Sequence, residues 1–178
     1  MGIELEILNW IQTIHLPIID KLMIAVTTLG NGGMLWICMT LVMIVIPRTR
    51  KVGITMAISL IIEVICCNLI LKPLVGRVRP YDVNTSINLL VSPPGDASFP
   101  SGHTGASFAA VSAMFFAGCR VWIPAGILAV LIAFSRLYLY IHYPTDVFAG
   151  AVIGILCGWA GNKLILFIYN KRCRSKSE

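Results

Sequence analysis

The stretch SFPSGHTGASFAA, residues 98–110, sets a Pro-Ser-Gly-His turn at the mouth of an apolar run. What such a turn can do depends on the solvent around it, and composition decides that. More than half of the 178 residues are apolar and only 12% are charged, against about 25% in soluble domains. Several apolar runs approach the roughly 20 residues that carry a helix across a bilayer. A spanning segment must satisfy its backbone polar groups internally, and runs of this length do so as helices. The sequence therefore predicts an all-α fold, a polytopic transmembrane helix bundle.

Working outward from residue 98, a third span covers 103–119, a fourth 121–140 and a fifth 146–170. Upstream lie a polar segment, 73–102, a second span, 52–72, and a first span, 21–46. GNGG at 30–33 interrupts the first span and should kink it. Residues 1–16 read as an amphipathic helix, with Leu5, Ile7, Leu8, Ile11 and Ile14 on one side, opposite Glu4, Asn9 and Gln12. Pro17 should end it, and it should lie at the membrane interface. The expectation is five spans plus this N-terminal interfacial helix. The alternative is six spans, with 1–29 as a crossing, which Glu4, Glu6, Asp20 and Lys21 disfavour. The corresponding division is 1–17 interfacial helix, 18–170 transmembrane domain and 171–178 basic tail. The acidic start MGIELEILNW lacks the features of a cleavable signal peptide.

With five spans, Arg48, Arg50, Lys51, Arg120, Lys171, Arg172, Arg174 and Lys176 share one side. The positive-inside rule makes that side cytoplasmic and turns 73–102 outward. The net charge of +6 gathers at span ends and in the tail, which argues for topology and against a nucleic-acid partner. None of the six cysteines, Cys173 of the tail among them, forms a Cys-x-x-Cys pair, so they read as packing residues. Gly150, Gly154 and Gly158 form a ridge for close helix packing. Trp10, Trp36, Trp122 and Trp159 mostly fall near span ends, as interface anchors do.

Lys72, Arg77, Arg79 and Arg136 break the charge rule, because all four fall on the outer side. They lie in two of three stretches that end there: KPLVGRVRP (72–80), PSGH (100–103) and SRLYLYIHYPTD (135–146). Arginine offers a planar fork for two phosphate oxygens, and lysine a point charge. Ser101 is placed to cap the third span, with the amides of Gly102 and His103 turned outward as an anion cradle. Asp146 follows His142 by one helical turn, so its carboxylate can fix the tautomer of that ring. His142 could then attack phosphorus while His103 protonates the leaving oxygen. A metal centre made from His103, His142 and Asp146 is the competing chemistry, but the nearby cations would repel a divalent ion. Glu63 and Asn68 stand inside the second span, where Asn68 can support the site from below. VSPPGD (91–96) is a turn-rich loop, either part of a lid or a plain connector.

These three stretches, in this order, resemble the type 2 phosphatidic acid phosphatase superfamily, which also includes vanadium haloperoxidases. The signature is Lys, six residues, Arg-Pro; Pro-Ser-Gly-His; and Ser-Arg, five residues, His, three residues, Asp. Lys72, Arg79, Pro80, Pro100, Ser101, Gly102, His103, Ser135, Arg136, His142 and Asp146 fill every fixed position. The resemblance implies His142 as nucleophile, Asp146 as its orienting partner and His103 as general acid. It implies Lys72, Arg79, Ser101, Gly102 and Arg136 as the phosphate-binding shell. Arg77 lies outside the signature and reads as an accessory contact. No metal or other cofactor is implied. The implied activity is a lipid phosphatase of the cytoplasmic membrane, opening on the extracytoplasmic side and working through phosphohistidine. A short chain of this kind resembles the undecaprenyl diphosphate phosphatases, with phosphatidylglycerophosphate and phosphatidic acid as alternative substrates. A non-enzymatic anionic-lipid binder or transporter, and a vanadate haloperoxidase, complete the alternatives. Oligomeric state is not legible in the sequence.

Overall fold

The computed structural model describes residues 2–174. Of the expected basic tail, residues 175–178 and the side chains of 172–174, Cys173 included, lie outside the described part. Among the described residues the secondary structure is entirely helical. The N-terminal helix α1 covers Ile3–Gln12 and ends at Thr13. Pro17 does not terminate it but opens α2, Pro17–Leu29, at a position where a missing N–H costs nothing. Asn31–Gly33 form a single 3₁₀ turn before α3, Met34–Val45. Gly32 and Gly33 take φ of +58° and +68° there, a left-handed conformation that glycine adopts without a Cβ clash. The axes of the two helices bend by 45°, so the expected kink lies at GNGG.

Helix α4, Arg50–Glu63, runs into a π-helical stretch, Val64–Leu71, and then the single turn α5, Lys72–Val75. Another single turn, α6, covers Pro80–Val83. A loop leads to α7, Gly102–Phe116, followed by α8, Trp122–Tyr138, and α9, Pro144–Arg174. Two stretches, Arg50–Val83 and Pro144–Lys171, hold helices long and apolar enough to cross a membrane, and the bent α2–α3 pair makes a third. With 15 and 17 residues, α7 and α8 fall short of the roughly 20 that a full crossing takes.

The central helix is α7, whose small residues are buried on most sides and allow neighbours to approach closely. The glycine ridge of α9 lies against it. A Cβ on Gly150 would meet the Ser101 carbonyl at 2.6 Å, and one on Gly154 or Gly158 would meet a backbone nitrogen of α7 at 2.9 or 2.8 Å. The ridge thus packs within the chain. On the other flank, Met56, Met114, Ala129 and Ile132 form a core around Trp36. Trp36 is fully buried and its indole N–H donates to Ser107 Oγ at 2.9 Å. It is a core residue and not an interface anchor. Large apolar side chains such as Leu41, Val45, Val130, Phe148 and Phe167 are exposed, a surface that water would not tolerate and lipid would.

Helix α1 sits over the end of the bundle where α8 passes into α9. Leu5, Leu8 and Ile11 are buried in a cluster with Tyr138, Tyr140 and Ile141. Its polar side is engaged as well, which the amphipathic reading did not foresee. Gln12 donates to the Tyr138 carbonyl at 3.0 Å, Asn9 accepts from Tyr140 at 2.7 Å, and Glu4 reaches the start of α9. Ile7, expected on the same side as Leu5, Leu8 and Ile11, is exposed.

The α7–α9 contact predicts opposite outcomes for two glycine substitutions. Gly154→Ala should lower the thermal midpoint of the detergent-solubilised protein, at a cost of about 1–3 kcal/mol for overpacking. Gly126→Ala should leave it unchanged or raise it, because its Cβ meets nothing closer than 3.7 Å and alanine is the better helix former. Equal midpoints for the two variants would contradict this packing.

Candidate active site

Asp146 ties the three motif stretches together. It stands in the first turn of α9 and is fully buried. Its Oδ2 accepts from Ser98 Oγ at 2.5 Å and from the Tyr143 amide at 2.9 Å. Its backbone carbonyl accepts from the Ser101 amide at 3.1 Å. Its Oδ1 accepts from Arg77 Nη1 at 2.7 Å. His142 Nδ1 faces Oδ2 at 3.5 Å, a long contact, and is otherwise unpartnered. The other ring nitrogen, Nε2, faces Arg79 Nη1 at 3.3 Å. Arginine has no acceptor, so Nε2 must carry the lone pair and Nδ1 the proton directed at Asp146. Burial pushes the ring's pKa down to about 4; Asp146 opposes this, and Arg136 and Arg79 add to it. His142 is therefore neutral at ordinary pH, with its Nε2 lone pair on the cavity side, facing Arg79.

That cavity measures about 550 Å³, and Lys72, Arg79, Arg136, Gly102, His103 and His142 all line it. The first N–H groups of α7 have no carbonyl in their own helix to bond, and Gly102 and His103 hold that position. Ser101 is brought close but not into the cavity: its hydroxyl is buried and accepts from Thr104 at 3.0 Å. Arg136, almost fully buried at the end of α8, donates to Thr27 Oγ1 at 2.6 Å and leaves its Nε unpartnered. A guanidinium so placed costs several kcal/mol unless an anion reaches it. His103 Nε2 lies 2.9 Å from Asn31 Oδ1, on the turn that breaks the first span. Among the described residues no group of three or more His, Cys, Asp or Glu is gathered to hold a metal ion, so His103, His142 and Asp146 do not form such a cluster.

Among the described residues, three cations line the cavity against a single carboxylate, Asp96. Its Oδ1 pairs with Arg79 Nη2 at 2.6 Å and its Oδ2 with Lys72. Partial burial opposes its ionisation, but the hydrogen bond and charge of Lys72, with the charge of Arg79, hold its pKa down to about 2. Asp96 belongs to the 91–96 loop, which walls the cavity with Ser92 and Pro94. Arg77 does not line the cavity. Its partners are Asp146, Thr145 and Glu4, so it touches the site through the site's own carboxylate.

Sequence reasoning missed Asp96, Ser98, Thr27, Asn31 and Glu4, whose partners are distant along the chain. A second cavity of about 300 Å³ shares Lys72, Asp96, Gly102 and His103 with the first. Ile37, Val64, Asn68 and Glu63 line it too. Glu63 is buried and both its oxygens lack a hydrogen-bond partner. Asn68 Oδ1 lies directly beneath Gly102, where a Cβ would meet it at 3.1 Å.

A half-enclosed cationic cavity, a neutral histidine backed by a carboxylate and an apolar exterior define a membrane protein that handles anionic head groups. The chain belongs to the PAP2 superfamily, whose family model matches residues 48–170. It is 32% identical over 155 residues to an undecaprenyl-diphosphatase of Sulfolobus acidocaldarius, covering 86% of this chain and 74% of that one. It is 32% identical over 185 residues to a lipid A 4'-phosphatase of Bacteroides thetaiotaomicron, covering 95% and 78%. The crystal structure of a transmembrane PAP2 type phosphatidylglycerolphosphate phosphatase from Bacillus subtilis superposes with a TM-score of 0.74 at 27% identity, covering 94% of this chain and 85% of that one. The chain is a lipid phosphatase, a hydrolase of phosphate esters.

A phosphate entering the cavity competes with Asp96 for Lys72 and Arg79. Asp96→Asn should tighten competitive inhibition by inorganic phosphate by about fivefold, the scale of a half-exposed ion pair. Because the carboxyl pKa is depressed, the anion persists above about pH 4 and is lost only as pH falls towards 2. The ratio of the inhibition constants should therefore stay level from about pH 5 to 8. An unchanged inhibition constant would contradict the competition.

Proposed function

We propose that this protein hydrolyses undecaprenyl diphosphate to undecaprenyl phosphate through a phosphohistidine on His142. The observation that carries the mechanism is the ring of His142, its Nε2 lone pair turned to a cavity lined by Lys72, Arg79 and Arg136, with Asp146 behind Nδ1. The terminal phosphoryl group sits among the three cations and the free amides of Gly102 and His103. Ser101 shapes that helix start from beneath. Nε2 attacks phosphorus, the bond to the bridging oxygen breaks, and His103 gives that oxygen a proton. Asp146 stabilises the ring as it becomes cationic. Water, deprotonated by His103, then cleaves the N–P bond, releasing inorganic phosphate and restoring both histidines. Fixed cations and amides aimed at the phosphoryl oxygens supply the charge stabilisation, so the step runs without a metal ion.

The Sulfolobus acidocaldarius relative supports the choice of lipid. The lipid A 4'-phosphatase relative supports a second reading, hydrolysis of a lipid A 4'-phosphate, because it matches more of the chain at equal identity. Both substrates end in a phosphoryl group on an apolar anchor and use the same site.

The proposed topology is five crossings within 18–170: the bent α2–α3 pair, α4 with its π-helical extension, α7, α8 and α9. Residues 1–17 lie at the interface, and the cationic loop Arg48–Lys51 and the tail 171–178 lie in the cytoplasm of a cell bounded by this membrane. The cavity then opens to the extracytoplasmic side. The short α7 is accommodated by its central position, where neighbouring helices and not lipid surround most of it.

Phosphate release by the purified protein in EDTA tests the proposal, with undecaprenyl diphosphate, phosphatidylglycerophosphate, phosphatidic acid and lipid A offered in parallel. Release fastest from undecaprenyl diphosphate, and a loss of about 10⁴-fold or more in His142→Ala, is expected. Undiminished release by His142→Ala would overturn the mechanism. A clear preference for another lipid would overturn the substrate.

A further inference from the structure

We propose that Arg77 is a positioning residue for the Asp146–His142 pair, and that Glu4 of α1 completes it. The inference rests on the reading of His142 as nucleophile. Asp146 divides its two oxygens between different sets of partners. Oδ2 serves Ser98, the Tyr143 amide and the ring of His142. Among the described residues, Oδ1 is held by Arg77 alone, at 2.7 Å. The terminal torsion of an aspartate is broad and roughly two-fold, so a second anchor is what fixes which oxygen meets the ring.

Arg77 can serve as that anchor because it is itself held on several sides. Its Nη2 donates to Glu4 Oε2 at 2.5 Å, and its Nη1 also donates to Thr145 Oγ1 at 2.7 Å. Its guanidinium stacks 3.9 Å over the Tyr143 ring. Glu4 in turn is seated on the first turn of α9, where its Oε1 accepts from the Thr145 amide at 3.1 Å and from Thr145 Oγ1 at 2.6 Å. An acceptor and a negative charge at a helix N-terminus are both favourable. The result is a closed circuit from Glu4 through Arg77 to Asp146 and back through Thr145. A guanidinium can bridge two carboxylates in one plane, which a lysine ammonium cannot do. The circuit also gives the N-terminal helix a role in the chemistry. Leu5, Leu8 and Ile11 bury α1 on the Tyr138–Ile141 segment, and Glu4 transmits that placement to the site.

The test compares wild type, Arg77→Gln, Arg77→Lys and Glu4→Gln as purified full-length proteins, with His142→Ala as control and undecaprenyl diphosphate and phosphatidylglycerophosphate as substrates. Arg77→Gln should lower kcat by about 10²-fold, the scale of a small misplacement of a reacting group, with KM within about threefold of wild type. Arg77→Lys should recover part of that loss, and Glu4→Gln should cost about tenfold in kcat. Should Arg77→Gln fail to fold, Glu4→Gln, which keeps an acceptor for Thr145, decides the matter. Unchanged kcat in the folded variants overturns the proposal. So does a loss confined to KM, which would make Arg77 a substrate contact. Full activity in His142→Ala would instead overturn the nucleophile reading on which the inference rests, and the control separates the two failures.

Discussion

The bonding of one buried carboxylate, Asp146, is the constraint on which the site depends. Through it the loop before α7, the α8–α9 connection and the 72–80 segment meet within hydrogen-bond distance, and the start of α7 joins them at the backbone carbonyl of the same residue. A buried carboxylate is costly unless its lone pairs are occupied, and here they are occupied by groups from several parts of the chain. Satisfying that one charge, with the Ser101 amide on the adjoining backbone carbonyl, brings the motif stretches together. The cations that remain, Lys72, Arg79 and Arg136, face the cavity with Asp96 alone to answer them among the described residues. The imbalance is what makes the cavity receptive to a phosphoryl group.

The bundle makes this possible by letting helices approach closely. Gly150 lies against the Ser101 carbonyl, so the ridge on α9 carries the first turn of α7 to the first turn of α9. A larger residue there would push Ser101 away from Asp146. The broken first span contributes in the same sense. By bending at Gly32 and Gly33, it delivers Thr27 to Arg136 and Asn31 to His103. The π-helical stretch ends at Leu71, immediately before Lys72, and such stretches are frequent at functional sites.

Much of this was legible in the sequence. The spacing of His142 and Asp146 is a helical turn, the GNGG run carries its own backbone reason for a kink, and the charge of Lys72, Arg79 and Arg136 marked one face. What stayed hidden depends on pairing between distant segments. Asp96 meets Lys72 across 24 residues, and Glu4 meets Arg77 across 73. Neither pairing leaves a periodic trace. The π-helical segment VICCNLIL has no proline or glycine to announce it. Trp36 read as an interface anchor because hydropathy cannot see the Ser107 hydroxyl waiting for its N–H. Pro17 read as a stop, whereas its ring suits equally the first position of the next helix.

The covalent role of His142 is the central claim, and the stereochemical course at phosphorus tests it most directly. A lipid substrate whose terminal group is a thiophosphate made chiral with oxygen isotopes would be hydrolysed by the wild-type protein, and the configuration of the released thiophosphate determined. Two in-line displacements, first by His142 and then by water, predict net retention. Net inversion would mean that water attacks phosphorus directly and would contradict the phosphohistidine mechanism.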